Sequence, residues 1–256
     1  VHWEIGRRCN YSCSYCWPAI HNNYERHKSL DELIDATTRI QKKFIGESKC
    51  NFIITGGEPT ANSAFLKWCQ HLNSFKYHLS MHSNGSRKPE YYAELINYGD
   101  LNLSGHYEQW NPDKFLEVIR TVTQVKVEKN NKDVGHLEVK LMMTPGSRDL
   151  TIEMKHRILS IPKFQEFCVL CIVPVKDNNA KFDGPLLEGY TKQDFKLFGK
   201  KASWITDFFR TDFQNQVLVD LENPQKIVFY NLDGKSFANS LVYLADISSQ
   251  EKEPSL

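Results

Sequence analysis

Residues 51–59, NFIITGGEP, pass from an apolar run into two glycines, a carboxylate and a proline. Asn51–Thr55 reads as a strand, because it is strand-length, β-branched and aromatic, and stopped by turn formers. A strand that ends in a polar loop and hands over to helix-period sequence is one βα unit of a parallel sheet. Whether that unit repeats decides the fold.

It repeats on both sides. Further strands are predicted at His2–Ile5, Lys76–Met81, Asp100–Leu103, Leu137–Met143 and Cys168–Val175, six in all with Asn51–Thr55. Helices separate them. One opens with the capping box Ser29-x-x-Glu32 and sets Leu33, Ile34, Ile40 and Phe44 along one face. Another is announced by Asn111 and Pro112, a cap followed by proline at the first helical position, with Phe115, Val118, Ile119 and Val122 as its apolar stripe. NNKDVG (130–135) reads as an exposed turn and KDNNAKFDGP (176–185) as a loop leaving the sheet. Beyond it come an amphipathic stretch, Tyr190–Lys201, and two apolar runs around Asn223-Pro224 that read as a hairpin. The fold class is α/β: a partial (β/α)6 TIM-like barrel over 1–175, with a C-terminal extension over 176–256 that contains a helix and a β-hairpin and closes the open side of the barrel.

Composition sets the surroundings. With 41% apolar residues in 256, the chain has material for a substantial core. Lys+Arg of 32 against Asp+Glu of 31 leaves a net charge of +1, so nucleic acid is not indicated as a partner by any global field. The longest apolar runs, FIIT and VLCIVPV, fall well short of the roughly 18 residues needed to cross a bilayer. No membrane span is expected. The sequence opens at Val1 without a charged-then-apolar leader, which leaves room for residues upstream. Seven cysteines, three of them crowded at the front, point to metal chemistry in a reducing cytoplasm rather than to a disulfide framework.

Six βα units close only part of an eight-stranded barrel, and in such folds chemistry collects where strands end. Four polar segments fall on that rim: the run GRRCNYSCSYCWP (6–18) after the first strand, Gly56-Gly57-Glu58 after the second, His82-Ser83-Asn84-Gly85 after the third and Ser104-Gly105-His106 after the fourth. Cys9, Cys13 and Cys16 have the spacing C-x3-C-x2-C, three thiols on a loop. They suit three corners of an iron–sulfur cubane whose fourth iron is left open for a ligand. A structural zinc site closes with four ligands, for which His21 or His27 stands nearby. Cys168 and Cys171 also have C-x2-C spacing, but residues three apart in a strand face opposite ways and do not converge on a metal. Core packing is the expectation for both, and for Cys50 and Cys69.

The cysteine spacing with Tyr15 before the last thiol, GGEP some 40 residues on, and the (βα)6 pattern together resemble the radical S-adenosylmethionine (SAM) superfamily over roughly residues 1–175. The resemblance implies an oxygen-sensitive enzyme in which Cys9, Cys13 and Cys16 ligate a [4Fe–4S] cluster and SAM chelates the open iron. Reductive cleavage of SAM then gives a 5′-deoxyadenosyl radical that takes hydrogen from a substrate. It further implies that Tyr15 lies against the adenine, that Gly56 and Gly57 admit the methionine amino group, and that Glu58 supports their loop. Ser83, Asn84 and Ser104 offer polar groups to SAM, Lys140 faces its carboxylate and Val173 lies near the adenine. His106 is the candidate for contact with substrate, His82 a second one, Trp17 a shield for the cluster, and Arg7 and Arg8 charges beside it. On these grounds Gly57→Val is expected to spare the cluster and weaken SAM binding.

No cysteine follows Cys171 in this sequence, so no auxiliary cluster is expected. The substrate class is a small polar molecule, nucleotide, sugar or peptide, and the electron donor is flavodoxin or ferredoxin. Two alternatives stay open: an activase that makes a glycyl radical on a partner enzyme, and a non-catalytic iron–sulfur or zinc module, for which the GGEP loop has no purpose.

Overall fold

The structure, a computed structural model, describes residues 1–16, 21, 23–42, 51–177, 186–198, 217–219, 226–230 and 236–243. Trp17, Phe44 and Cys50 lie outside the described residues, as does most of the loop expected over 176–185.

Six strands form one sheet: β1 (His2–Glu4), β2 (Asn51–Thr55), β3 (His78–Ser83), β4 (Asp100–His106), β5 (Leu137–Met143) and β6 (Cys168–Pro174). Their spatial order is their sequence order and every pairing is parallel. Parallel neighbours need right-handed crossovers, and a chain that always steps the same way puts every crossover helix on the same face. That is barrel winding, and here the sheet stays open between β6 and β1. Helices α1 (Leu30–Ile40), α2 (Phe65–Ser74), α3 (Pro89–Leu95), α4 (Pro112–Glu128), α5 (Arg148–Leu159) and the short α6 (Phe164–Phe167) make the outer layer.

The core lies between the layers. Phe52, Ile54, Leu79, Met81, Leu101, Leu103, Val139 and Leu141, alternate residues of the central strands, pack on Leu33, Trp68, Leu72, Tyr92 and Ile119 of the helices. Trp3 of β1 meets Trp68 edge-on at 4.9 Å. The expected helix signals are in place: Ser29 and Glu32 cap each other, and Asn111 accepts from the Lys114 N–H. Phe115, Val118, Ile119 and Val122 are all buried, as their spacing requires.

Two strands run further than their composition suggests. β3 reaches Ser83 and β4 reaches His106, so Ser104-Gly105-His106 is a strand end rather than a loop. Gly105 keeps register with Leu141, and Trp110 folds back across it so closely that a Cβ there would overlap the indole. Asn130, Asn131 and Asp133 take left-handed φ values in the expected turn.

After β6 the chain returns over the strand ends. Lys176 bridges Leu186, and the Val175 N–H donates to the Tyr190 hydroxyl at 2.8 Å. The expected amphipathic stretch holds a four-residue helix, α7 (Lys192–Phe195), capped by Thr191 and Asp194. The expected hairpin is β7 (Val217–Val219) with β8 (Lys226–Tyr230), and β9 (Ser236–Tyr243) adds a third antiparallel strand. Among the described residues no helix is long and apolar enough to cross a membrane.

Candidate active site

The loop leaving β1 lies directly on the loop leaving β2. The Gly57 N–H donates to the Gly6 carbonyl at 2.8 Å and the Glu58 N–H to the Arg8 carbonyl at 2.9 Å. This closeness demands glycine twice. Gly56 has a φ of +126°, a region that L side chains rarely adopt. A Cβ on Gly56 would overlap the Gly6 carbonyl oxygen, and one on Gly57 the Arg7 and Arg8 carbonyl oxygens. Gly56 and Gly57, expected to admit the methionine amino group, here make room for the backbone that leads into Cys9.

Glu58 supports the loop from beneath. Its carboxylate is buried and accepts from the Thr60 N–H (3.0 Å), the Thr60 hydroxyl (2.6 Å), the Ser83 hydroxyl (2.8 Å) and the Asn84 N–H (2.6 Å). Burial pushes this carboxyl up, and the hydrogen bonds oppose the rise. Ser83 therefore belongs to the support; its hydroxyl is spent inward instead of being offered at the rim. Asn84 does reach the cysteine loop, with Nδ2 3.0 Å from Asn10 Oδ1 and 3.9 Å from Cys9 Sγ.

The end of β4 grips the same loop from the other side. Tyr15 and His106 stack, with ring centroids 6.0 Å apart, and the phenol oxygen stands 2.9 Å from His106 Nδ1. Tyr11 meets the imidazole edge-on. Desolvation pushes His106 down to about 4, so the ring is neutral at pH 7. Just beyond, Glu108 takes both donors of Ser14, the N–H and the hydroxyl, each at 2.6 Å. The Gln109 amide reaches the Ser12 carbonyl at 3.5 Å. His106, expected to meet substrate, and Tyr15, expected against the adenine, are thus placed on each other. Glu108 has no signal of its own in the sequence, because Ser14 lies 94 positions away.

The inner face of the sheet, opposite the helices, is polar. Alternation puts Ser80 and His82 of β3, Asn102 and Ser104 of β4, Glu138 and Lys140 of β5, and Cys171 and Val173 of β6 on it. The Lys140 ammonium stands 3.3 Å from Glu138 and 3.4 Å from Asn102 Oδ1, and Asn102 donates to the Ser80 hydroxyl at 3.1 Å. The Cys171 thiol donates to Glu138 at 3.4 Å. Asn102 and Glu138 are register partners one level below Ser104 and Lys140, so the lysine leans away from the rim. Val173 stays at rim level, across from Met142, which in turn pairs with His106. Glu4 of β1 is half-buried, and burial raises its carboxyl to about 7. Cys168 bonds Thr123 on the helix side, so the two thiols of CVLC do face opposite ways. Cys171, expected in the core, joins the polar inner face. Cys69 is buried as expected.

Cys9, Cys13 and Cys16 are all half-buried free thiols on one loop. The Tyr11 N–H donates to Cys9 Sγ at 3.3 Å, as suits a thiolate. Burial pushes the Cys13 thiol up to about 12 and the Cys16 thiol to about 11, which a coordinated cation reverses. Among the described residues no three His, Cys, Asp or Glu side chains converge as ligands of a single ion. A cubane gives each thiolate its own iron and asks for no such convergence. The donor set therefore fits an iron–sulfur cluster.

The family model of the radical SAM superfamily matches residues 3–159. The chain belongs to the radical SAM superfamily. It is an enzyme whose cofactors are a [4Fe–4S] cluster and SAM. A GTP 3′,8-cyclase of Alkaliphilus oremlandii is 29% identical over 234 residues, covering 88% of this chain and 67% of that one. A probable GTP 3′,8-cyclase of Thermococcus kodakarensis is 31% identical over 109 residues, 40% of this chain and 33% of the other. Among solved structures, Streptococcus suis SuiB bound to precursor peptide SuiA superposes with a TM-score of 0.56 at 15% identity, over 81% of this chain and 45% of SuiB. SuiB bound to S-adenosylmethionine gives 0.53 at 13% identity, over 81% and 48%. This radical SAM chain thus spans about two thirds of the first cyclase, a third of the second and under half of SuiB. The likeness to SuiB is one of fold.

Proposed function

We propose that this radical SAM enzyme cleaves SAM at the rim where the cysteine loop meets the GGE loop, and directs the radical at a small polar substrate held on the inner face. Cys9, Cys13 and Cys16 hold the cluster in this reading. Bound there, cluster and SAM supply a 5′-deoxyadenosyl radical by one-electron cleavage of a carbon–sulfur bond. The chain's own residues do the rest. Gly56, Gly57 and Glu58 seat the cysteine loop; Asn84, Ser104 and Val173 stand at or just below the rim to receive SAM; Tyr15 and His106 wall the same side. The observation that carries the substrate reading is the array formed by the Lys140–Glu138 ion pair and its hydrogen-bonded neighbours Asn102 and Ser80. Burying charge costs free energy, and a paired lysine and glutamate with long contacts can trade them for an anionic group and a hydroxyl of a ligand. Lys140 leans toward this array, which favours a role toward substrate over one toward the SAM carboxylate. The relatives' names point the same way, to a nucleotide, while a peptide is the ligand of SuiB. Residues 176–256 are proposed to close the open side, a reading supported by the return of 186–190 over the ends of β5 and β6. The electron donor is flavodoxin or ferredoxin, in the cytoplasm.

The test is anaerobic. After reconstitution with iron and sulfide, dithionite and SAM are added and 5′-deoxyadenosine is read by mass spectrometry beside Cys13→Ala. Wild type alone forms it, and a guanine nucleotide raises the yield in wild type and less in Lys140→Met. A fully assembled cluster that binds SAM but yields no 5′-deoxyadenosine, with or without nucleotide, defeats the reading. Yield that rises only with a partner protein replaces it by the activase.

A further inference from the structure

Between Cys13 and Cys16 the backbone is held by a residue from another part of the fold. Glu108 lies two positions past the end of β4 and accepts from both the N–H and the hydroxyl of Ser14, each at 2.6 Å. The same connection contributes His106 against Tyr15 and Gln109 toward the Ser12 carbonyl. Three contacts thus fix Ser12, Ser14 and Tyr15, the residues on either side of Cys13 and leading to Cys16. Gly105 and Trp110 anchor the connection itself, since Trp110 packs over Gly105 and stands 4.9 Å from Phe115 of α4. The carboxylate is aimed from a rigid base.

From this geometry we infer that Glu108 is a positioning residue that seats the cluster loop and, by its charge, keeps the cluster at a low reduction potential. The inference rests on Cys9, Cys13 and Cys16 being the cluster ligands. Two effects add. A carboxylate beside a cluster bearing three thiolates repels the extra electron of the reduced state, so the oxidised state is favoured. By taking the Ser14 N–H, Glu108 also withholds a donor that would otherwise stabilise negative charge on cluster sulfur. Both make the reduced cluster a stronger one-electron donor, which cleavage of a sulfonium needs. Glu108 is solvent-exposed, so water and salt weaken its field, and the hydrogen bonds carry the positioning.

Glu108→Gln separates the two roles, because a glutamine amide can still accept from the N–H and donate to the hydroxyl while the charge is gone. The reconstituted holoenzyme is titrated anaerobically with dithionite-based potential mediators, and the reduced cluster is followed by electron paramagnetic resonance. Glu108→Gln should bind iron and sulfide like wild type and shift the midpoint upward, lowering the oxidised-to-reduced ratio at fixed potential by roughly threefold, ~28 mV for one electron. Glu108→Ala, which loses the grip as well, should retain less iron after desalting. An unchanged midpoint in Glu108→Gln overturns the inference whatever the alanine variant retains. Cys13→Ala runs beside them. If it keeps four irons, the ligand reading falls and the inference with it; if it loses the cluster while Glu108→Gln keeps the wild-type midpoint, only the inference falls.

Discussion

Gly57 shows how one missing side chain serves the whole site. Its backbone sits under Arg7 and Arg8, with the Glu58 N–H bonded to the Arg8 carbonyl at 2.9 Å. Valine at this position must push that strand of loop outward, at a cost of about 1–3 kcal/mol for overpacking. Cys9 follows Arg8 directly, so the displacement reaches a thiol before it reaches any SAM contact. Gly57→Val should therefore lose iron, against the expectation drawn from sequence that the cluster is spared. The ratio of iron to protein after anaerobic reconstitution decides the matter. Wild-type iron together with weakened SAM binding would restore the earlier expectation. Glu58 obeys a related logic. Four hydrogen bonds hold its buried carboxylate, and they tie β3 to the GGE loop so that the position of one rim segment fixes the next.

β4 and its exit to α4 carry most of what sequence leaves unseen. The start of α4 is legible because Asn111 and Pro112 act locally, through a cap and a fixed φ. The end of β4 is not, because Ser104-Gly105-His106 has the composition of a loop. Its strand geometry comes from pairing with Lys140, Leu141 and Met142, residues more than 30 positions away. The same holds for function. Three cysteines, GGEP and the βα rhythm mark the cysteine loop and the rim, since those signals are short-range. The contacts of Glu108 with Ser14, His106 with Tyr15 and Lys140 with Asn102 join distant segments and leave no periodic trace. Gly105 makes the point testable. Gly105→Ala should drive its methyl into Trp110 and destabilise the fold by about 1–3 kcal/mol, read as a lower denaturant midpoint with unchanged slope. An unshifted midpoint would mean that Trp110 is free to swing away, and that the exit from β4 is not the rigid base described above.

At the scale of the molecule, an open six-stranded sheet has two edges, and they differ. β1 is three residues long and, among the described residues, pairs with β2 alone. β6 has seven residues, and the two residues that follow it, Val175 and Lys176, already meet the returning chain. Alternate amides of an edge strand point away from its only neighbour, and their exchange with solvent reports what covers them. Hydrogen exchange of the holoenzyme should therefore rank β3, β4 and β5 slowest and β1 fastest. The place of β6 in that order tests the division of the chain. If residues 176–256 close the barrel, the outward amides of β6 exchange nearly as slowly as those of β4. If they exchange as fast as those of β1, the open side is left to a partner or to substrate, and the extension serves another end of the fold. Either result bears on the proposed chemistry, because the inner face, where Lys140 and Asn102 are already buried, must also be kept from water along the open side if a radical is to be aimed there.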